Sequence, residues 1–253
     1  MKEKRIKRTK NESEKDLISV IIPMYNEENI RKNIIEVIKH LNELPCDYEI
    51  IIVDDGSKIN CIEEAKKIKN DKIKVEGYSR NKGKGNALKY GFRFCKGNYI
   101  AFMDADLELP PHQIKDFYEK ITDEKIDSVI GSKRLAKSQV HYPLMRRIMS
   151  FVFQMITTIL FGLKVRDTQV GMKMFRREVL DYAFPKMLVK KYAFDVELLV
   201  LANKAGYEIR EIPIRLDYRF SSTIRKRDII NMLIDLAAIF YRLKIIRYYD
   251  KKN

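Results

Sequence analysis

Tyr99-Ile100-Ala101-Phe102-Met103-Asp104-Ala105-Asp106-Leu107-Glu108-Leu109-Pro110-Pro111 is an apolar run that ends in three carboxylates spaced two apart and then in two prolines. An unbroken apolar run of this length suits a strand buried on both faces. An extended chain points alternate residues to the same side. If the segment stays extended past the strand end, Asp104, Asp106 and Glu108 converge there. Hard oxygen donors at a strand tip suit Mg²⁺ or Mn²⁺, which keep coordination positions open for phosphate oxygens. The pattern points to a site handling a nucleotide diphosphate. A solvated acidic turn is the plainer alternative.

The chain on either side repeats this arrangement. Ile18 to Pro23 is a β-branched run closed by proline, and Tyr48 to Val53 is a second strand ending at Asp54-Asp55-Gly56. Between them, apolar residues at 30, 34, 35, 37, 38 and 41 keep a helical period. Helices are expected over 61–69, 85–95 and 112–121, and strands over 73–78, 98–103 and 127–130. Strands alternating with helices, apolar on both faces, predict an α/β fold with a mostly parallel central sheet flanked by helices. Ligands of such sheets bind beyond the carboxyl ends of the strands. Pro23-Met24-Tyr25-Asn26-Glu27, Asp54-Asp55-Gly56-Ser57 and Asp104-Ala105-Asp106 should therefore share one edge.

The 253 residues are 45% hydrophobic, enough for a large core, and carry a net charge of +15. That balance favours an anionic partner. Cys46, Cys61 and Cys95 are an odd number without metal-type spacing and read as reduced thiols of a cytosolic environment. Residues 1–16 read as a basic mobile tail with no apolar core of a secretory signal. Beyond residue 135 the pattern changes. Ile148 to Leu163 is uncharged over 16 residues, or about 24 Å as a helix, short of the roughly 20 residues a bilayer core needs. Ser150, Gln154, Thr157 and Thr158 form a polar stripe along it, so a helix lying in a membrane interface fits better than a spanning one. In the segment 228–247, Asp228, Asn231, Asp235 and Arg242 share one face. Residues 215–253 hold ten Lys/Arg against four Asp/Glu, which suits an anionic membrane surface. Packing of both helices on the domain, or on a second copy in a homo-oligomer, is the alternative. The expected division is the tail, a catalytic domain over 17–227 that includes the interface helix near 144–163, and a C-terminal amphipathic helix over 228–253.

Four motifs occur in order: Val20-Ile-Ile-Pro-Met-Tyr-Asn-Glu27, Ile52-Val-Asp-Asp-Gly-Ser57, Asn81-Lys-Gly-Lys-Gly-Asn-Ala87 and Asp104-Ala-Asp106. Together they resemble glycosyltransferase family 2, whose fold is GT-A. Asp167-Thr-Gln-Val-Gly-Met-Lys173, Phe194-Asp195-Val-Glu197 and Glu211-Ile-Pro-Ile214 are similar to the dolichyl-phosphate glucose and mannose synthases within it. The resemblance implies transfer of a hexose, with inversion, from UDP-glucose or GDP-mannose to a polyprenyl (dolichyl) phosphate at the cytoplasmic face of a membrane, by a peripheral or interfacially anchored enzyme that uses Mg²⁺ or Mn²⁺. Asp167-Thr168-Gln169 leans toward the glucose-transferring members.

By the same resemblance, Pro23, Tyr25, Glu27, Val53 and Asp55 hold the base and ribose. Asp104 and Ala105 meet the nucleotide, and Asp106 binds the metal bridging the diphosphate, with Glu108 in the next ligand position. Lys133 or Arg134, with Arg146, faces the acceptor phosphate, and Arg219 and Arg225 close a loop over the diphosphate. The residue types agree with these roles: an aromatic can stack on a base, a carboxylate accepts from ribose hydroxyls, and arginine binds phosphate directionally. Each has a plainer reading: a first-turn carboxylate for Glu27, an Asp-Gly turn for Asp55, and solvated faces for the cations. Gly83-Lys84-Gly85 is either a helix entry turn or a phosphate approach; it lacks the features of a P-loop or dinucleotide fingerprint. The three histidines form no cluster in the sequence. The rivals are a family 2 enzyme with a soluble or other lipid acceptor, a processive synthase, and a basic nucleic-acid-binding protein. The processive enzymes need a Gln-x-x-Arg-Trp motif, and this chain has no tryptophan. The 35 Asp+Glu dilute the basic field, and no nucleic-acid-reading motif occurs.

Overall fold

In the computed structural model, residues 16–140, 144–191, 193–216 and 226–250 are described, with 144–148 and 226–227 described by backbone only. Strand β1 (Leu17–Met24) divides its side chains between two cores. Ile18, Val20 and Ile22 enter one and Ile21 the other. Strand β2 (Asp47–Asp55) does the same with Ile50 and Ile52 against Ile51 and Val53, and β4 (Tyr99–Phe102) with Tyr99 and Ala101 against Ile100 and Phe102. This two-residue period explains why the runs are apolar throughout. Each fully buried isoleucine contributes about 1.5–3 kcal/mol.

Helices α1 (Ile30–Leu41), α2 (Cys61–Lys66) and α4 (Ile114–Ile121) contribute to the first core. Helix α1 buries Ile30, Asn33, Ile34, Val37 and Leu41, a stripe in which only Asn33 is polar. Helices α3 (Lys84–Phe92), α6 (Arg177–Ala183) and α7 (Phe194–Ala205) contribute to the second. Strands β3 (Ile73–Tyr78), β5 (Ser128–Ser132), β7 (Lys173–Arg176) and β8 (Ile209–Pro213) complete a seven-stranded sheet of order β3-β2-β1-β4-β7-β5-β8. All neighbours are parallel except β7, which runs antiparallel to both β4 and β5. The mostly parallel sheet agrees with the sequence; β7 and β8 are the strands of this sheet that the sequence did not show. A two-stranded sheet pairs β6 (Gln139–Val140) with β9 (Arg215–Leu216).

The long apolar segments form α5 (Leu144–Phe161) and α8 (Lys226–Phe240), the latter followed by a π-helical turn at Tyr241–Ile245. Their polar stripes turn inward only in part: Gln154 and Thr157 are buried and Asp228 and Asp235 half-buried, whereas Thr158 and Asn231 are exposed. On α5, Gln154 Nε2 donates to the Val165 carbonyl at 2.5 Å, and Thr157 is fully buried. Outward it presents Phe151, Val152, Met155 and Ile159, the last 74% exposed. Helix α8 buries Leu236 and Ile239 in the second core and exposes Ile230, Leu233 and Ile234. The two helices touch. Among the described residues, no helix is long and apolar enough to cross a membrane.

Candidate active site

The loops after β1, β2 and β4 meet at one edge of the sheet. Asn26 takes a left-handed backbone, φ 54°, which asparagine tolerates better than most residues. Its N–H donates to Ser57 Oγ at 2.9 Å, and its Oδ1 accepts from the Lys58 N–H at 2.7 Å. Ser57 is itself held by Asp54, donating its N–H and hydroxyl to Oδ1 at 3.1 and 2.5 Å. Asn33 makes the second stitch. Its buried amide donates to the Ala105 carbonyl at 2.8 Å and lies 3.5 Å from Glu27 Oε1. Glu27 also accepts from the Asn29 N–H at 3.0 Å. Tyr25, Glu27 and the Asp104–Asp106 turn are thus parts of one site. Asn33, which sequence reasoning passed over, joins them; a lone polar residue on the buried stripe of α1 is the signal that marks it.

Asp55 is buried and holds the loop leading into α3. It accepts from Tyr78 Oη at 2.7 Å, Asn81 Nδ2 at 3.0 Å and the Lys82 and Gly83 N–H groups at 2.8 and 2.9 Å. Val53 sits apart from the other predicted nucleotide residues: its side chain lies in the core under α3. Gly83, at φ 97°, turns the chain into α3, whose first residue is Lys84. The Lys84 ammonium pairs with Asp104 Oδ1. Burial lowers the Lys84 pKa, but Asp104, Asp195 and Asp106 together outweigh it and hold it above the ordinary lysine value. Beyond lies a second pair, Lys173 Nζ to Asp195 Oδ1 at 2.7 Å. Burial pulls the Lys173 ammonium below the usual lysine range despite that partner.

The three-carboxylate expectation needs correction. The chain does not stay extended after β4. It turns at Ala105-Asp106, Leu107 takes φ 53°, and the Glu108 N–H folds back onto Asp106 Oδ1 at 3.1 Å. Alternation therefore ends, and among the described residues no three acidic, histidine or cysteine side chains converge on a metal position. Asp104 and Asp106 still share a neighbourhood. Burial first, and then the Asp104 charge, raise the Asp106 pKa. Two crowded carboxylates suit a hard divalent cation that takes its other oxygens from phosphate and water. Gly171 makes the close approach possible: a Cβ there would stand 1.9 Å from Asp104 Oδ2.

Two cavities adjoin this edge, and Lys133 lines both. The smaller, about 230 Å³, is lined by Asp104, Glu108, Lys133, Gln169 and Gly171 among others. The larger, about 1060 Å³, runs along α5, with Phe151, Met155 and Ile159 beside Lys133, Arg134 and Arg166. Lys133 is fixed by the buried Asp167, which accepts from its N–H at 3.1 Å and lies 3.3 Å from its ammonium. Arg134 turns toward α5, donating to Ser150 Oγ at 3.1 Å over the Phe151 ring. Arg146 lies on α5, where only the backbone is described, and Arg219 and Arg225 lie outside the described residues. Pro23 is half-buried at the end of β1 and Tyr25 is exposed.

Comparison with known proteins decides the family. Residues 19–184 match the model of glycosyl transferase family 2. The chain belongs to this family. Among family 2 relatives, the dolichyl-phosphate beta-glucosyltransferase of Dictyostelium discoideum is 32% identical, over 93% of this chain and 79% of that one. The Saccharomyces cerevisiae protein of the same name is 30% identical, over 96% and 79%. Glucosyl-3-phosphoglycerate synthase of Mycobacterium tuberculosis, crystallised with Mn²⁺, UDP and phosphoglyceric acid, superposes with a TM-score of 0.67 at 19% identity, over 94% of this chain and 80% of that one. At that identity the likeness concerns the fold, and the fold is the GT-A type that the motifs implied.

Proposed function

We propose that this family 2 glycosyltransferase moves glucose from UDP-glucose to a dolichyl or other polyprenyl phosphate with inversion. The observation that carries the reading is Lys133: it lines both a small polar cavity beside the aspartates and a long apolar groove with cations along it. The hexose end of a sugar nucleotide fits the first and a lipid phosphate the second. The names of the relatives point to the same donor sugar and acceptor.

Tyr25 offers its ring to the base, while Glu27 accepts from ribose hydroxyls. Asp55 acts by holding the loop at 81–83 through its hydrogen bonds. Lys84, released from Asp104, is placed to meet the diphosphate at the start of α3. Asp104 and Asp106 would hold Mg²⁺ or Mn²⁺, which when bound neutralises charge on the departing diphosphate. Lys133 meets the acceptor phosphate, with Arg134, which reaches toward α5, beside it; Arg146, Arg219 and Arg225 are the further cations that the family motifs assign to the two phosphates. The acceptor needs little help from a base, since a phosphate monoester loses its second proton at about pH 6. Its oxygen attacks the anomeric carbon in line, the bond from that carbon to the diphosphate oxygen breaks, and UDP leaves. The work of the site is to hold two anions within reach of each other.

The outward faces of α5 and α8 carry the lipid half of the reading. These helices present Phe151, Val152, Met155 and Ile159, and Ile230, Leu233 and Ile234, to the outside, and we place them in the interface of a membrane at its cytoplasmic face. Incubation of the protein with radiolabelled UDP-glucose, Mn²⁺ and a polyprenyl phosphate is expected to give label extractable into organic solvent. Chelation of the metal is expected to stop it. Label passing to a water-soluble phosphate acceptor and not to the lipid would overturn the acceptor assignment; efficient transfer from GDP-mannose and none from UDP-glucose would overturn the donor.

A further inference from the structure

Four buried side-chain polar atoms, Ser128 Oγ, Ser132 Oγ, Thr168 Oγ1 and Gln169 Nε2, have no hydrogen-bond partner among the described residues. Of these four residues, Gln169 alone lines either cavity. A buried amide hydrogen without an acceptor is costly, and a native protein keeps one where something else completes it.

The chain around Gln169 is pinned on both sides. Its own N–H donates to Asp167 Oδ1 at 3.2 Å, and Asp167 is held by Lys133. Val170 packs so closely on Gly131 that a Cβ there would lie 2.8 Å from Val170 Cγ1. Gly171 rests against the Asp104 carboxylate. Strand β7 runs antiparallel to β4 with Lys173 opposite Phe102, and this register brings the 169–171 segment beside the Asp104–Asp106 turn. Gln169 thus borders the small cavity on rigid backbone, next to the residues assigned to the donor.

We propose that Gln169 is a specificity-determining residue whose side-chain amide donates to a hydroxyl of the transferred hexose in the small cavity. This rests on the hexosyl-transfer reading above and names the group that reads the sugar. The lining favours a sugar ring over the acceptor phosphate. Asp104 and Glu108 would repel an anion, whereas carboxylates, an amide, the Lys133 ammonium and the Ser150 hydroxyl together supply acceptors and donors for hydroxyl groups, each of which both donates and accepts. Val170, Ile214 and Leu216 offer an apolar wall to the ring's C–H face. The volume of about 230 Å³ is of the order of a single sugar ring.

The test compares two ligands that differ only in the hexose. Affinities of UDP and UDP-glucose are measured by titration calorimetry with Mn²⁺ on the wild type, Gln169→Met, which keeps the bulk without the amide, and Gln169→Leu, which also removes the amide. Both variants are expected to bind UDP as the wild type does, which also shows that they fold. UDP-glucose affinity is expected to fall about tenfold, the effect of one lost hydrogen bond. Discrimination against UDP-galactose is expected to shrink with it. Equal losses for UDP and UDP-glucose, or no loss for either, would overturn the assignment. If the wild type binds neither ligand, the donor reading fails before any variant is made, and the assignment of Gln169 falls with it; failure of the assignment alone leaves wild-type binding intact.

Discussion

Replacement of Asp106 by alanine is expected to lower the transfer rate by about 10³-fold, equivalent to about 4 kcal/mol of transition-state stabilisation. Asp106 sits in the turn directly after β4, and its carboxylate is fixed by the Glu108 N–H at 3.1 Å. Burial and the neighbouring Asp104 charge raise its pKa, the condition a bound cation would relieve. Asp106→Asn keeps the shape and removes the charge, so it is expected to lose nearly as much. Glu108→Gln is expected to lose far less, because the turn at Leu107 takes Glu108 out of any three-carboxylate set. The measurement is the rate of lipid-linked glucose formation at saturating UDP-glucose and Mn²⁺. Normal turnover by Asp106→Ala would remove the metal assignment, and a larger loss in Glu108→Gln than in Asp106→Asn would reverse the ranking.

Replacement of Glu197 by alanine is expected to be the most destabilising single change, by about 3–5 kcal/mol, or roughly 10 °C in melting temperature for a chain of this size. Glu197 is fully buried in α7. Its Oε2 accepts from the Leu188 and Val189 N–H groups at 3.0 and 2.7 Å, and its Oε1 accepts from Arg242 Nη2 at 3.1 Å and from the Tyr249 hydroxyl. Arg242 Nε also donates to Tyr249 Oη at 2.8 Å. Removing the carboxylate leaves the Arg242 Nη2 group, a phenol hydroxyl and two backbone donors without their acceptor. The same residue ties the C-terminal segment to the donor pocket, because the following Lys190 carbonyl accepts from the Asn86 N–H in α3 at 3.2 Å, beside Lys84. Thermal unfolding checks the magnitude. A melting point within a degree of wild type would show that this cluster does not hold the C-terminal segment in place.

Much of this architecture is legible in the sequence, and the parts that are not share a physical reason. The strands β1, β2 and β4 announce themselves because parallel strands bury both faces, and the turns that follow them must then lie on one edge. Strand β7 does not. It is four residues long and begins with Lys173, a charge that reads as surface until its buried contact with Asp195 is seen. The polar stripe of α5 is visible in the sequence but its direction is not, since a polar residue there can face water, as Thr158 does, or bond inward, as Gln154 does, while the apolar side faces out. Convergence of Asp104, Asp106 and Glu108 failed for a local reason: period two holds only while the chain is extended, and Leu107 ends it. Asn33 and Lys84 needed coordinates, because the atoms they touch, the Ala105 carbonyl and the Asp104 carboxylate, lie about 70 and 20 residues away in sequence and only the fold brings them near.

The most direct measurement of the central claim is UDP affinity with and without a divalent cation. Two aspartates at the tip of β4 that hold a metal against the diphosphate predict UDP binding about tenfold or more tighter with Mn²⁺ than after chelation. They also predict that this gain disappears in Asp104→Asn and Asp106→Asn. UDP that binds the wild type equally well in both conditions, or a metal-dependent gain that survives loss of both aspartates, would contradict it.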